Sequence, residues 1–258
     1  MKTGVTLLAS GSNGNCIAVH ANGNIILVDC GISLRMLRKR MKETGLDETQ
    51  VRAILLTHEH SDHIGGVQNS VKHFGVPVFS NCGTAAALRK SVPEMMPPTI
   101  PTVGECFCLS GFSITPFHVE HDVETVGYTL AYESTKVGIA TDMGRSTMAS
   151  EFPLRDCNTL VLESNYDVNM LISSNRSWQL KTRICNGKGH LSNLQNSEML
   201  PRLITPNTRN VILAHISHDC NKYDIALDTA RATLSSLNRN DIFLDCGRRE
   251  GPLPTVWV

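Results

Sequence analysis

The stretch ILLTHEHSDHIGG, residues 54–66, decides the fold of this chain. An apolar run that predicts a buried strand is followed within six positions by three histidines and two acidic residues. Side chains two positions apart point to the same side of an extended chain, so His58 and His60 should share one direction. Asp62 and His63 follow at the point where the chain must turn. Crowded imidazole and carboxylate groups are donors for zinc and related divalent cations, so the stretch predicts a metal site at the end of a strand.

Size and composition are those of an ordinary soluble globular protein. The chain has 258 residues, of which 41% are hydrophobic and 19% charged. Its 24 basic residues balance 24 acidic ones, which argues mildly against a polyanionic partner. No segment approaches the roughly 18 apolar residues of a membrane span, and the first apolar run is too short for a signal peptide. We predict one domain over residues 1–258, a cytoplasmic location and no membrane association, while protein partners stay unknown.

Hydrophobic periodicity predicts short strands interspersed with amphipathic helices. Strands are expected at 4–10, 15–21, 24–30, 51–57, 76–80, 159–164 and 210–217, and in ECFCL, FSITPFHVE, VGYTLAYE, KVGIATD, DIFLDC and TVWV. Helices are expected at 33–45, 66–74, 83–91, 193–204 and 224–237. Ser192 and Gln195 form a capping-box pattern before the fourth helix. We expect sheets with helices on their outer faces, and Cys106 and Cys108 as small buried side chains on one strand face.

Further metal donors follow other apolar strands. His121 in FHVEHD, Asp142 in GIATDMG and His215 in VILAHIS each stand where a side chain emerges at the edge of a sheet. Four donors in one cluster cannot saturate two metals, and these three complete the set. An aspartate between two histidine-rich groups can bridge two cations roughly 3.5–4 Å apart. We therefore expect two divalent metal ions.

The ordered set THEHSDH, His121, Asp142 and His215 resembles the metallo-β-lactamase superfamily, an α/β class with an αββα four-layer sandwich. The resemblance implies that one metal is held by His58, His60 and His121. It implies a second metal held by Asp62, His63 and His215, with Asp142 bridging. Manganese or zinc suits donors without thiolate. Asp29 stands where the superfamily has an aspartate that orients a metal-bound histidine, and a turn-forming role is the alternative.

Three further stretches are similar to the YycJ (WalJ) family of 5′-to-3′ DNA exonucleases: LLASGSNGNC near the start, LVLESNYDVNML at 160–171 and LKTRICNGKGHLSN at 180–193. GHLSN resembles the motif whose histidine donates a proton to the leaving oxygen in nucleases of the superfamily. This predicts His190 as the general acid, with Glu163 or Asp167 as its carboxylate partner, and a capping or core histidine is the alternative. Asp62 is predicted to act in catalysis as well as in metal binding. Tyr166 departs from the family, which has histidine there.

The predicted substrate contacts lie in the glycine-rich loop and in the last of these stretches: Ser12, Asn13, Lys181, Arg183, Ser192 and Asn193. A plain hairpin turn is the alternative for the loop. We expect DNA as substrate, with RNA as an alternative, bound through its backbone because aromatic residues make up only 5% of the chain. Other functions stay open: a small-molecule phosphodiesterase or other ester or thioester hydrolase, and a tRNA-processing endoribonuclease. A non-catalytic protein with a vestigial site is opposed by the complete donor set.

Overall fold

In a computed structural model the chain forms two β-sheets that face each other, with helices on both outer sides. The structure describes residues 2–258. The strands are β1 Gly4–Ala9, β2 Cys16–Ala21, β3 Asn24–Val28, β4 Val51–Leu55, β5 Val78–Phe79, β6 Phe107–Leu109, β7 Phe112–Val119, β8 Thr125–Tyr132, β9 Thr135–Ala140, β10 Thr159–Glu163, β11 Asn210–Ala214, β12 Phe243–Cys246 and β13 Val256–Trp257. The helices are α1 Leu34–Glu43, α2 Ser61–Ile64, α3 Val67–Phe74, α4 Cys82–Ser91, α5 Met148–Leu154, α6 Val168–Ser173, α7 Trp178–Cys185, α8 Asn193–Leu203 and α9 Tyr223–Ser236.

Each sheet combines a parallel part with an antiparallel part. The first sheet has the order β13-β1-β2-β3-β4-β5, and β3, β4 and β5 run parallel. The second has the order β12-β11-β10-β9-β8-β7-β6, and β9 to β12 run parallel. Val28 pairs with Leu55 in the first sheet, and Leu162 pairs with Leu213 in the second. β7 is antiparallel to β8, which is antiparallel to β9, so β7 ends at the same edge as β9.

The apolar side chains divide into a central layer and two outer layers. Val5 and Leu7 point between the sheets and pack with residues of the second sheet such as Tyr128 and Val161. Leu8, one position along the same strand, points to the helices outside the first sheet. Because both faces of these strands are covered, the strands are almost continuously apolar in sequence. This is the predicted αββα sandwich.

Helix ends follow the local capping rules. The Ser33 hydroxyl accepts from the Met36 N–H at the start of α1, and Gly45 follows its end with φ +73°. The Ser192–Gln195 capping box opens α8 as predicted. No helix among residues 2–258 is both long and apolar enough to cross a membrane.

Several sequence expectations were wrong or incomplete. Cys106 and Cys108 are exposed rather than buried, because β6 is the edge strand of its sheet. The short helices α2, α5, α6 and α7 were not predicted. Most predicted strands are one to three residues longer than the observed ones, and VGYTLAYE is shifted by one residue from β8. After β3, β4, β9 and β11 the additional residues leave the sheet and contribute to the site described next.

Candidate metal centre and catalytic pocket

The predicted donors lie together at one edge of the sandwich, where the carboxyl ends of β3, β4, β7, β9, β10 and β11 meet. Asp29, Asp142 and His215 follow β3, β9 and β11, and each has left-handed backbone geometry, with φ of 61°, 56° and 55°. Non-glycine residues adopt this region rarely and at a cost of about 1 kcal/mol or more. The chain therefore turns sharply out of three strands at the positions that carry these side chains.

The first donor group contains His58, His60 and His121. Nε2 of His58 lies 3.0 Å from Nδ1 of His60, and their rings are 4.6 Å apart. Nδ1 of His121 donates to the Gly189 carbonyl at 2.9 Å. Nε2 of His121 is buried and has no hydrogen-bond partner, so it is free to bind a cation.

The second donor group contains Asp62, His63 and His215. Oδ2 of Asp62 lies 3.5 Å from Nε2 of His63 and also 3.5 Å from Nε2 of His215. The other ring nitrogens are occupied: Nδ1 of His63 donates to Asp29 at 2.7 Å, and Nδ1 of His215 donates to Glu163 at 2.8 Å. Carboxylates that bind the outer nitrogen of a ligand histidine fix its tautomer and direction.

Asp142 lies between the two groups. One carboxylate oxygen is 3.1 Å from Nε2 of His63, and the other is 4.0 Å from Nε2 of His121 and 3.4 Å from Nδ1 of His215. Its Oδ2 is buried without a hydrogen-bond partner. This is the position that a bridging ligand needs.

The donor atoms fit divalent cations. Within each of two trios, His58–His60–His121 and Asp62–His63–His215, the ligand atoms lie within 4.8 Å of one another. Buried polar atoms without partners are costly, and Nε2 of His121, Nε2 of His215 and Oδ2 of Asp142 are three of them from three separate strand ends. A cation would satisfy all three. Another set with the same spacing, Asp142–Glu163–His190–His215, was not predicted from the sequence.

The charges of the cluster are strongly coupled. Burial alone lowers the pKa of His215, but the nearby carboxylates of Asp142, Asp62 and Glu163 outweigh it and raise this pKa to about 10. The pKa of His63 is raised for the same reason by Asp142 and Asp29, against the effect of burial. Burial lowers the pKa of His58 and His121. A cation would therefore take the place of protons that the carboxylates now attract.

The residues around the donors brace them. Asp29 accepts from the Thr57 N–H at 2.8 Å as well as from His63, so the predicted orienting contact is present. Asn15 donates to Asp62 Oδ2 at 3.2 Å and lies 3.0 Å from Nε2 of His63. Gly31 is required beside this contact, because a Cβ there would come within 1.7 Å of the Asp62 carbonyl oxygen. The glycine-rich loop thus supports the short helix α2.

His190 lies close to the predicted metal ligands, and one of its ring nitrogens binds the Glu163 carboxylate. The distance from its Nδ1 to Glu163 Oε1 is 2.9 Å, and the same oxygen binds His215. Glu163 is fully buried, and its Oε2 accepts from the N–H groups of Met143 and Leu191. Burial would raise the pKa of Glu163, but the two imidazoles hold it below its usual range. Glu163 therefore links the predicted general acid to a predicted metal ligand.

These groups open into a cavity of about 220 Å³. Ser12, His60, Asp62, His121, Asp122, Asp142, Arg183, His190 and His215 are among the residues that line it. At its rim Arg183 donates to Asp122 at 2.5 Å, and the other oxygen of Asp122 lies 3.4 Å from Nε2 of His60. A larger cavity of about 650 Å³ lies elsewhere, beside His20 and Trp257, and none of the clustered metal donors lines it.

A family model described as the Metallo-beta-lactamase superfamily matches residues 9–165. The chain belongs to the metallo-beta-lactamase superfamily. It is therefore a metal-dependent hydrolase, and its donor cluster is compatible with two metals.

Individual proteins similar to this chain are consistent with the family assignment. The exodeoxyribonuclease YycJ of Bacillus anthracis is 32% identical over 86% of this chain and 85% of its own length. The exodeoxyribonuclease WalJ of Streptococcus pneumoniae is 30% identical over 86% of this chain and 84% of its own. A crystal structure of the metallo-beta-lactamase fold protein YhfI from Bacillus subtilis superposes with a TM-score of 0.75, at 16% identity and full coverage of both chains, and shows the shared fold.

Some predicted site residues of this metallo-beta-lactamase-fold chain have other partners. Asp167 accepts from the Met170 N–H and caps α6, so Glu163 rather than Asp167 binds His190. Ser192 and Asn193 are buried, and neither lines the cavity. Ser192 caps α8 and Asn193 bonds to Ser164 and Asn221, and their role as substrate contacts stays a prediction.

The remaining predicted contacts lie at the surface. Ser12 and Arg183 line the cavity, and Asn13 is exposed beside Ser12. Lys181 donates to the Ile172 carbonyl. Tyr166 is buried against Leu171, Ile184 and Cys220, and burial raises its pKa to about 12.

The sequence analysis did not predict three groups of the site: the Asp122 and Asn15 side chains and the Gly189 carbonyl. Asp122 stands next to a predicted ligand, and that adjacency was a usable signal. A backbone carbonyl leaves no signal in side-chain chemistry, so the contact of Gly189 with His121 was not accessible to sequence reasoning.

Proposed function

We propose that this chain is a two-metal phosphodiesterase that degrades DNA from the 5′ end, with His190 as proton donor. The carrying observation is the His190–Glu163 pair in the wall of the cavity, beside two trios that do not need His190 as a ligand. The similarity to two exodeoxyribonucleases over 86% of the chain supports DNA as substrate. A hydrolase of esters with good leaving groups would have no use for this proton donor.

In the proposed mechanism the two trios would hold one divalent cation each, manganese or zinc, and Asp142 lies between the trios as the predicted bridging ligand. Such cations supply Lewis acidity, which makes water a nucleophile near neutral pH and offsets charge on phosphoryl oxygens. Asp29 and Glu163 hold His63 and His215 with Nε2 directed at the cluster. Asp62 lines the cavity and would orient the water that attacks phosphorus, in addition to its predicted role as a ligand.

His190 carries the proton for the leaving oxygen. Because Nδ1 is bound to Glu163, the proton to be transferred is on Nε2, and the carboxylate stabilises the imidazolium form. Arg183 and Ser12 contact the phosphate backbone at the rim of the cavity.

We propose further that residues 1–258 form one domain in the cytoplasm. Support for one domain comes from the central layer, which takes side chains from both sheets. Support for a reducing compartment comes from the nine cysteines, all of which are free thiols.

The function is tested with oligonucleotides of one sequence. Purified protein is loaded with Mn²⁺ or Zn²⁺ and given single-stranded DNA, duplex DNA and RNA, each with a 5′ phosphate and with the label at either end. Release of the 5′-terminal nucleotide from DNA is expected first, and a ladder of shorter 5′-labelled products would contradict the stated polarity. Preference for RNA with internal cuts would instead indicate an endoribonuclease.

A small cyclic phosphodiester is the second candidate substrate. The balanced charge of 24 basic and 24 acidic residues and the modest cavity of about 220 Å³ favour it. Turnover of a cyclic nucleotide without any release from the oligonucleotides would replace the proposed function by this one. The His218→Ala variant is the matched control for His190→Ala in both assays, because His218 is exposed and pairs with Asp219.

A further inference from the structure

Arg249 contacts Asn13, the chain neighbour of a residue that lines the cavity, and has no acidic partner in an ion pair. The Asn13 side-chain amide lies 2.7 Å from both Nε and Nη2 of Arg249, and the orientation of the amide that satisfies these donors directs its oxygen, a neutral acceptor, at the guanidinium. Asn13 is adjacent to Ser12, which lines the cavity. Arginines nearby are neutralised instead: Arg176 by Asp219, Arg183 by Asp122 and Arg248 by Asp245. Within residues 2–258 no such ion pair involves Arg249, so its charge is uncompensated.

The backbone of Arg249 is held from both sides. Its N–H donates to the Tyr223 hydroxyl at 3.0 Å. Its carbonyl accepts from Nη2 of Arg40 at 2.9 Å, and Nη1 of Arg40 donates to the Leu8 carbonyl at 2.8 Å. Arg40 is only 8% exposed, so a buried cation fixes this exposed segment to β1. The backbone that carries the Arg249 guanidinium is therefore held in place at both its N–H and its carbonyl.

The segment that carries Arg249 also packs against a residue that supports a predicted metal ligand. A Cβ on Gly247 would lie 2.6 Å from Cβ of Ser10, which shows how closely the two backbones pack. The Ser10 hydroxyl accepts from the His215 N–H at 2.8 Å. Ser10 therefore contacts both the segment that carries Arg249 and the backbone of the predicted ligand His215.

We propose that Arg249 binds a phosphate of the nucleic-acid strand outside the scissile position, on the Ser12–Asn13 side of the cavity. This inference rests on the proposed nuclease function. A guanidinium held by a neutral amide keeps its charge for an anion and can bind a phosphate through two N–H groups. Arg183 lacks this advantage, because a phosphate must displace Asp122 from it. A mononucleotide-sized substrate inside the cavity leaves Arg249 unused.

The test compares Arg249→Ala with Arg248→Ala in the full-length, metal-loaded protein. Arg248 is the matched control, since it is the adjacent exposed arginine but pairs with Asp245 and lies over the Tyr223 ring. The substrates are a 5′-phosphorylated single-stranded DNA and bis(p-nitrophenyl) phosphate. For Arg249→Ala we expect KM for the DNA to rise about tenfold, as for one lost charge-assisted bond. The slope of log KM against log salt should fall by about 0.7, the value for one phosphate contact on a single strand.

The loss should be confined to the polynucleotide, with kcat/KM on the small diester changed less than about twofold, and Arg248→Ala should match wild type. Unchanged KM and salt slope for Arg249→Ala would overturn the inference while the nuclease function stands. An equal loss on both substrates, with a lower urea midpoint, would show that Arg249 is structural and would also overturn it. A wild-type protein that cleaves only the small diester would remove the proposed function and this inference together.

Discussion

His190 is the residue whose chemistry separates a nuclease from other hydrolases of this fold. If it donates the proton, His190→Ala should slow cleavage of DNA by about 10²- to 10⁴-fold. The same variant should cleave bis(p-nitrophenyl) phosphate at nearly the wild-type rate, because p-nitrophenolate leaves without a proton. Single-turnover rates on both substrates measure this difference.

Metal content decides between two roles for His190. Elemental analysis should find as much metal in His190→Ala as in wild type, because neither predicted trio contains it. Loss of one equivalent would assign His190 to the alternative set with Asp142, Glu163 and His215. His218→Ala should change neither quantity.

Asp29 is expected to act through His63. Its carboxylate binds Nδ1 of His63 at 2.7 Å and so directs Nε2 to the cluster. In Asp29→Asn the amide is a poorer acceptor, and we expect metal affinity to fall about 10- to 100-fold. Competition with a chelator of known affinity measures the change. Asp167→Asn is the matched control, since asparagine caps a helix as well as aspartate does, and an equal loss there would contradict the assignment.

At the scale of residues, the sequence predicted the metal donors well but not the residues that hydrogen-bond to them. His58, His60 and His121 could be recognised because imidazole following a strand has few other uses. Asn15 could not, since an asparagine in a glycine-rich loop is typical of a plain turn, and only the fold brings it to Asp62 and His63. The choice between Glu163 and Asp167 also needed three dimensions, because both lie in one stretch that contains a strand end and a helix cap.

At the scale of elements, α8 tests whether Ser192 is a cap or a substrate contact. Its side chain accepts from the Gln195 N–H and is buried. Ser192→Ala should reduce the free energy of unfolding by about 1 kcal/mol, the typical cost of a lost N-cap. KM for DNA should stay at the wild-type value. A raised KM with an unchanged urea midpoint would instead support the substrate role predicted from the sequence.

Elements were predictable where a periodic apolar face is buried. α1 and α8 have such faces, with Leu37 and Met41 buried in one and Met199 and Leu200 in the other. α6 and α7 do not, since much of their apolar surface is exposed, as at Ile172 and Trp178. Their capping residues were the remaining signal: Asp167 and Ser177 each accept a backbone N–H three positions on.

The stability of the whole molecule should depend on pH through His20. This side chain extends from β2 and contacts β1 and β13, with Nε2 3.3 Å from the Thr6 hydroxyl and its ring 5.1 Å from the Trp257 ring. Burial lowers its pKa to about 4. A histidine with a folded-state pKa below the unfolded value of about 6.5 is neutral in the fold, so its contribution is full above about pH 6.5 and is lost as pH falls toward 4.

We therefore expect wild type to lose more stability than His20→Gln between pH 7 and pH 5. The difference should be about 1 kcal/mol, after discounting for the partial exposure of the ring. Urea midpoints of both proteins at the two pH values measure it. Parallel losses in the two proteins would mean that His20 is already hydrated in the folded state.

The two sheets should unfold together if residues 1–258 are one domain. The central layer joins side chains of both sheets, so neither sheet keeps a covered inner face without the other. The two tryptophans report on different halves of the chain, because Trp178 begins α7 after β10 and Trp257 lies in β13 at the edge of the first sheet.

Both tryptophans are exposed, by 74% and 51%, so Trp178→Phe and Trp257→Phe should each lower the free energy of unfolding by less than about 0.5 kcal/mol. Urea titrations followed by the remaining tryptophan should then give the same midpoint in both variants, coincident with the loss of far-ultraviolet circular dichroism. Separate midpoints would show that the two halves unfold independently, and the metal centre, whose donors come from both sheets, would then be lost at the lower midpoint.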